Sequence, residues 1–274
     1  MSNIHPAAIV SPNAKIADDV IIGPYCIIGE NVSVGKGTKL HSSVILDGWT
    51  QIGENNEIYP GAIIGVPPQD LKYKGEKSYV RIGNGNIIRE YVTIHRAAGG
   101  EEVTLIGDNN LLMAYVHVAH NCSLGNNIII ANSVGLSGHV QIEDSAVIGG
   151  MVGSHQYVRI GKLAMVGGYT KLVKDVPPYS LVDGYPALIF SINHRGLKRH
   201  GFSRELRSLL KTAIHYITSP RLNLKQAIQK IKEELPSSPE MEHLINFLEA
   251  PSKRGIMTRS RTRGESGTDI TQEE

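Results

Sequence analysis

The sequence predicts a mainly β solenoid, a narrow prism of short strands wound in coils, followed by a small α-helical domain. Three observations carry this. An aliphatic residue recurs at every sixth position through most of the chain, glycine is abundant while aromatic rings are few, and the pattern turns helical after Pro177-Pro178.

The aliphatic register runs unbroken from Ile4 to Ile64, resumes at Ile82, Ile88 and Ile94, and continues from Ile106 to Leu172 with Ser154 its only non-aliphatic member. A glycine often follows the aliphatic residue, as at Gly23, Gly53, Gly107 and Gly125. Four positions after it stands a small or β-branched residue, as at Val20, Cys26, Val116 and Cys122. A period of six is a multiple of the strand period and not of the helical one. Two inward side chains per hexad, one large and one small, fill a narrow prism without rings. That fits 29 glycines beside only 3 Phe and 1 Trp in 274 residues. The trailing glycine suits a corner that needs either an unusual backbone angle or close approach. Three hexads, about 18 residues, close one triangular coil, and the whole register gives about nine coils stacked over roughly 40 Å.

The solenoid spans residues 1–190. Excursions near 65–81 and 95–105 place Asp70, Glu76 and Gly100 at aliphatic positions, and long loops on a rigid frame tend to carry function. The helical domain spans 191–250, with Ser203, Asn223 and Ser238-Pro239 as helix starts. Residues 251–274 turn from basic to acidic with few apolar side chains, which predicts disorder.

With 28 Lys+Arg against 26 Asp+Glu, the net charge of +2 implies no nucleic-acid footprint. No apolar run approaches the roughly 18 residues of a membrane helix, and residues 1–10 lack the features of a signal peptide, which predicts a cytoplasmic protein. Cys26 and Cys122 form no C-x-x-C motif and read as small buried residues.

Four histidines, His117, His120, His139 and His155, fall within the late coils. Residues about 18 apart stack, so His120, Gly138 and Gln156 form one column and Asn121, His139 and Tyr157 another. His5, His41 and His95 occupy the position usually taken by glycine and read as structural or peripheral. An imidazole titrating near neutrality can take a proton from a hydroxyl, and a neighbouring glycine can present its backbone N–H to a developing oxyanion. That pairing suits acyl transfer to an alcohol. With no G-x-S-x-G elbow, direct attack is favoured over a covalent intermediate.

The motifs QDLKY (Gln69 to Tyr73), IHR (Ile94 to Arg96), VHVAHNC, SGHV, IGGMVGSHQ, KDVPPY and GLKRHGFSRE are similar to those of the hexapeptide-repeat acyltransferases. Within these, the chain to about residue 250 resembles the acyl carrier protein-dependent UDP-N-acetylglucosamine O-acyltransferases that begin lipid A synthesis. The resemblance implies a left-handed parallel β-helix, a hand the period alone does not give, because crossovers are nearly always right-handed. It further implies a homotrimer with sites between subunits and transfer of a 3-hydroxyacyl chain from acyl carrier protein to the 3-hydroxyl of UDP-N-acetylglucosamine, with no cofactor and no metal. The family's general base falls on His120 and its oxyanion donor on Gly138. Substrate contacts fall on His117, His139, His155 and Gln156, on Asp70 and Lys72 in the first excursion, and on Asn193 and Arg199 at the start of the helical domain. The acyl-length ruler falls on Gly168, with Gly150 and Asn132 in its column.

Three residues depart from the family pattern: Asn121 stands in place of an Asp, Arg195 in place of a Glu, and His200 in place of an Arg. The last two leave open the preference between the glucosamine nucleotide and its 3-amino analogue. Basic Arg159, Lys162, Lys171 and Lys174 on late coils fit either a dock for an acidic carrier protein or a solvated face. Three other readings fit the sequence less well. A γ-type carbonic anhydrase needs three imidazoles about 2.1 Å from zinc and leaves the helical domain without purpose. A non-catalytic scaffold leaves the histidine column without one. The related N-acyltransferase carries an N-terminal uridine-binding domain, whereas repeats here begin at Ile4.

Overall fold

The computed structural model describes residues 3–259. Strands of mostly two residues alternate with tight corners, and each pairs in parallel with the strand one coil away, as in Ile9↔Ile27 and Val118↔Leu136. Three faces result. Face A has eleven strands, from Asn3–Ile4 to the hairpin of Ser180–Asp183 and Leu188–Ile192. Face B has nine, from Ile9–Val10 to Lys171–Leu172, and face C eight, from Lys15–Ile16 to Arg159–Ile160. The second residue of each two-residue strand points inward, and the aliphatic register from Ile22 to Leu172 is buried. Ile4, Val10 and Ile16, in the first coil, have no coil below them and remain partly or largely exposed.

The corners answer the question the glycines raised. The left-handed backbone angle falls on non-glycine residues such as Tyr91, Tyr115, Asn121 and His139, at φ 57°, 64°, 60° and 62°. Apart from Gly65, at φ +85°, the glycines after the aliphatic residues serve close approach instead: a Cβ at Gly53 or Gly107 would clash with Gly83 O or lie 2.5 Å from Gly125 O.

Part of the interior is polar. Asn56, Asn86 and Asn110 occupy the small inward position of successive coils and are fully buried. Asn86 Nδ2 donates to Asn56 Oδ1 (3.0 Å) and Gly107 O (3.0 Å), while Asn110 Nδ2 donates to Gly125 O (3.0 Å). Each amide is satisfied by its neighbours, so the ladder tolerates desolvation.

Both excursions leave the corner between faces B and C, after Ile64 and after Ile94. They are shorter than the sequence alone implies, because strand pairing resumes at Tyr79–Ile82 and Val103–Ile106, which align along their full length with each other and with Trp49–Ile52. The first is pinned by Arg96, which donates to Tyr73 Oη (3.1 Å) and Gly65 O (2.9 Å) and stacks 5.8 Å from the Trp49 ring centroid.

The helices are α1 (His194–Arg199), α2 (Arg204–Thr218), α3 (Leu224–Glu234) and α4 (Pro239–Glu249). Ser203, Asn223 and Ser238 accept from backbone N–H groups at the starts of α2, α3 and α4. Leu210, Ala213, Ile214 and Ile217 of α2 and Ile228 and Ile231 of α3 are buried, and α2 packs on α3 and on the last strand. The expected disorder after residue 250 does not hold up to Arg259. Around a bridge to Ile256, Asp175 N–H donates to Gly255 O (3.0 Å) and Asp175 O accepts from Met257 N–H (2.9 Å), Arg254 Nε donates to Val173 O (3.1 Å), and Ile256 and Met257 are buried against the end of the prism. Residues 260–274, the rest of that expectation, lie outside the described residues. Among the described residues no helix is long and apolar enough to cross a membrane.

A buried ion pair of the prism also meets the helices. Asp175, fully buried, accepts from Arg159 Nε (2.7 Å) and from its backbone N–H (2.9 Å), and the guanidinium lies 4.4 Å from the Phe247 ring centroid of α4. Asp175→Ala strands a mostly buried cation and is expected to cost about 3–5 kcal/mol by chemical denaturation, whereas Asp175→Asn, which keeps an acceptor, costs less. Equal losses for the two variants would remove the charge from this account.

Candidate active site

The corner between faces B and C carries in successive coils the first excursion, the second excursion with His95, then His120 and Asn121, then Gly138 and His139, then His155, Gln156 and Tyr157. The ladder stacks them. The His120 imidazole lies over Gly138, whose missing Cβ would fall 2.6 Å from Cε1 and Nε2 of that ring. Any side chain at residue 138 displaces the imidazole. The His139 ring meets His120 edge-on at 5.4 Å and stacks on Tyr157 at 4.4 Å, and Lys253 Nζ sits 3.9 Å from the Tyr157 ring centroid.

Hydrogen bonds fix the tautomer of His120. Asn121 Oδ1 accepts from the Ala98 N–H (3.0 Å), and its Nδ2 donates to Ala98 O (3.1 Å) and to the Glu102 carboxylate. The amide orientation is thereby set. His120 Nδ1, 2.7 Å from Asn121 Oδ1, must then carry the proton, which leaves Nε2 with its lone pair free. Asp70 Oδ2 faces that nitrogen across 3.9 Å, beyond hydrogen-bond distance but close enough to attract a protonated ring.

The backbone at Gly138 is also disposed for chemistry. At the corner between faces C and A, the N–H at the equivalent hexad position is used structurally: Asn84, Asp108 and Asn126 donate to Oδ1 of Asp108, Asn126 and Asp144 one coil on, at 2.6–2.7 Å. At Gly138 the next coil offers Gln156, and among the described residues no such bond forms.

His117 projects outward from face B, with Nδ1 2.8 Å from Thr93 Oγ1. Burial, reinforced by the charges of His95 and His120, lowers its pKa to about 4. His139 is lowered chiefly by burial and then by His120. His95, set aside from the sequence as structural or peripheral, belongs to this cluster. It is buried, its ring stands 5.2 Å from His117, its Nδ1 is 2.8 Å from Pro67 O, and burial lowers its pKa. The signal was available: the second excursion adds one hexad, so Ile94 pairs with Val118 and not with a residue 18 away.

The remaining residues are placed as follows. Asp70 Oδ1 accepts from the Lys72 N–H (2.9 Å) in an exposed turn. His155 and Gln156 are exposed beside a shallow groove lined by Ser137, Met151, Gly153, Tyr169, Lys171 and Tyr185. Gly135 and Gly153 lie next to His117 in the outward column of face B, where an added Cβ meets nothing. Gly168 is exposed, and a Cβ there comes only to 3.3 Å from Gly150 O. Asn193 caps α1, accepting from the Gly196 N–H (3.0 Å) and donating to Leu163 O (2.9 Å), and is buried. Arg199 is exposed on the same helix, and His200 Nδ1 reaches back to Gly196 O (2.9 Å). Within one chain neither Asn193 nor Arg199 bonds to the histidine cluster. Among the described residues no group of three or more His, Cys, Asp or Glu side chains is placed to hold a metal ion.

The chain is similar to known proteins along most of its length. Residues 175–257 match the family profile described as UDP N-acetylglucosamine O-acyltransferase, domain 2, residues 104–138 the bacterial transferase hexapeptide (six repeats), and residues 4–98 the GMPPB C-terminal domain. The acyl-[acyl-carrier-protein]–UDP-N-acetylglucosamine O-acyltransferase of Thermodesulfovibrio yellowstonii is 54% identical over 257 residues, covering 93% of this chain and 99% of that protein. The enzyme of the same name from Syntrophobacter fumaroxidans is 46% identical over 256 residues, covering 93% and 99%. Among solved structures, LpxA from Acinetobacter baumannii superposes with a TM-score of 0.89 at 48% identity, covering 93% of this chain and 99% of that one. The UDP-N-acetylglucosamine acyltransferase of Bacteroides fragilis gives 0.90 at 42%, covering 92% and 99%. With a left-handed parallel β-helix, a small helical region at its end and this histidine-lined corner, the chain belongs to the acyl-[acyl-carrier-protein]–UDP-N-acetylglucosamine O-acyltransferase family and is an acyltransferase.

Proposed function

We propose that this protein transfers a 3-hydroxyacyl chain from acyl carrier protein to the 3-hydroxyl of UDP-N-acetylglucosamine, the first step of lipid A biosynthesis, by direct attack with His120 as general base. One observation carries the mechanism: a histidine with Nε2 bare and Nδ1 tied to Asn121 lies over a glycine whose N–H has no acceptor among the described residues. The sugar hydroxyl gives its proton to Nε2 as its oxygen attacks the thioester carbonyl. The resulting oxyanion is held by the Gly138 N–H. Its collapse forms the ester and expels the carrier's thiolate, which takes the proton back from the imidazolium. Asp70 attracts that imidazolium while it exists. In this reading the reaction needs no cofactor or metal beyond the carrier-bound thioester.

His117 and His139, held neutral by burial, suit hydrogen bonding to the uncharged sugar. The flat floor at Gly135 and Gly153 and the groove beside His155 and Gln156 suit an extended chain that ends at Gly168. Lys72, Asn193 and Arg199 are assigned to the nucleotide end from the family pattern. Since Asn193 and Arg199 lie apart from the histidines in one chain, the site is completed between subunits of a homotrimer. The surface supports that assembly. The outward column of face C is mostly polar (Lys15, Ser33, Gln51, Arg81), while those of A and B carry Ile21, Ile87, Leu111 and Ile129, and Ile9, Ile27, Ile45 and Ile63. Exposed Tyr25, Tyr91, Tyr115 and Tyr169 line the corner between A and B. Such an apolar edge fits burial against other copies.

An assay of carrier proteins bearing several acyl lengths against both the glucosamine nucleotide and its 3-amino analogue tests the reaction, and no ester or amide product with any pair would overturn it. His120→Ala is expected to keep the assembly and its melting temperature while losing at least about 100-fold in kcat/KM. Gly168→Met is expected to shorten the preferred acyl chain, and an unchanged length profile would end the ruler assignment. The pKa of His117 in the folded protein, about 4, lies below that of the unfolded chain, about 6.5. Between those values the unfolded state binds the proton first, so this contribution to stability is complete above about pH 6.5 and declines toward pH 4. His117→Gln should therefore flatten the fall of Tm over that window, and a fall as steep as the parent's contradicts the neutral assignment.

A further inference from the structure

We propose that Glu102 is a positioning residue for the base, supplying through the Asn121 amide the negative charge that an aspartate at residue 121 would have given directly. The inference rests on the reading of His120 above. Three observations on separate atoms carry it. His120 Nδ1 donates to a neutral amide oxygen, so its immediate partner adds no charge. The other end of that amide donates to the Glu102 carboxylate. The second excursion is shaped to bring that carboxylate in: Glu102 N–H closes a turn on Gly99 O (3.4 Å), and with Gly99 at φ +104° its missing side chain leaves the carboxyl carbon 3.3 Å from where a Cβ would be. Carboxylate, amide and imidazole thus form one hydrogen-bonded line, in which the carboxylate polarises the amide and strengthens its oxygen as an acceptor. The charged and titratable groups facing His120 are Asp70 from the first excursion, His95 from the second, His117 from face B and His139 from the next coil. Glu102 is the one that reaches the Nδ1 side through a hydrogen bond.

Glu102→Gln separates charge from scaffolding, because its amide oxygen still accepts from Asn121. A carboxylate stabilises the imidazolium, so its loss lowers the pKa of His120: the acid limb of the kcat/KM profile moves to lower pH, and the plateau falls because the base is weaker. The carboxylate is exposed and acts through a neutral group, so the expected loss is modest, about threefold to tenfold. Glu102→Gln combined with Asn121→Asp returns the charge to residue 121 and is expected to recover the rate, whereas Asn121→Asp alone sets two carboxylates together and is not. Titration of isotope-labelled His120 by NMR reads the same shift without turnover, so it tests the inference even if the assigned substrates give no product. An unshifted His120 titration in Glu102→Gln, or a double variant no better than the single one, would overturn the proposal. A lowered pKa that the double variant reverses supports it.

Discussion

Everything in the prism depends on the parallel hydrogen-bond ladder between coils. Each strand bonds to the one above it, so a residue's direction is settled by its position in the coil. A slip of one residue would turn an inward isoleucine to solvent and an outward lysine into a column with no room for it. Material can therefore be added only outside the ladder, where the chain leaves at a corner and rejoins in register. The two excursions obey this, since Ile64 pairs with Ile94 and Ile94 with Val118, thirty and twenty-four positions on. The ladder closes over each insertion unchanged. That is why three coils of histidines and two loops lie in one line along a single edge.

The same constraint decides which side chains are allowed inside. The inner column takes one branched aliphatic and one small residue per hexad, and rings are excluded by width. Tyrosines consequently occupy corners in the left-handed region, four of them exposed along the edge between faces A and B. The one fully buried tyrosine, Tyr179, lies where the prism ends and Phe202 of the helical region meets it. Buried asparagine is admitted because stacking gives each amide a donor and an acceptor at fixed height. A lone asparagine in that column would leave polar atoms unpaired.

Spacing carried what could be read directly. The solenoid was legible because its pairing is one-dimensional: the partner of a residue is a fixed number of positions away. His120 over Gly138 followed from that arithmetic alone. His95 did not, because an excursion changes the interval, and the interval was assumed constant. The asparagine ladder went unnoticed because Asn56, Asn86 and Asn110 depart from the small or β-branched character expected of their position, and polarity reads as a loop signal when its stacking partners are unknown. Residues 251–259 looked too polar to pack, yet Ile256 and Met257 suffice once Asp175 supplies a strand edge. In each case the missing information was a contact between segments that no period links.

The division between ladder and excursion also bears on how the site is tuned. The proposed base, His120, and oxyanion donor, Gly138, both sit on the ladder, where backbone pairing fixes their separation and no side chain beyond hydrogen is accommodated at Gly138. The groups proposed to set the charge around that base, Asp70 and Glu102, sit on excursions. Geometry and basicity are thus governed by different parts of the chain. Replacing the acidic neighbour of the base by Asn121 removes a charge from the rigid part, and an excursion returns one to the same hydrogen-bonded line without moving the imidazole. A site built as proposed can change the strength of its base by altering a loop, because the loop leaves the ladder in register.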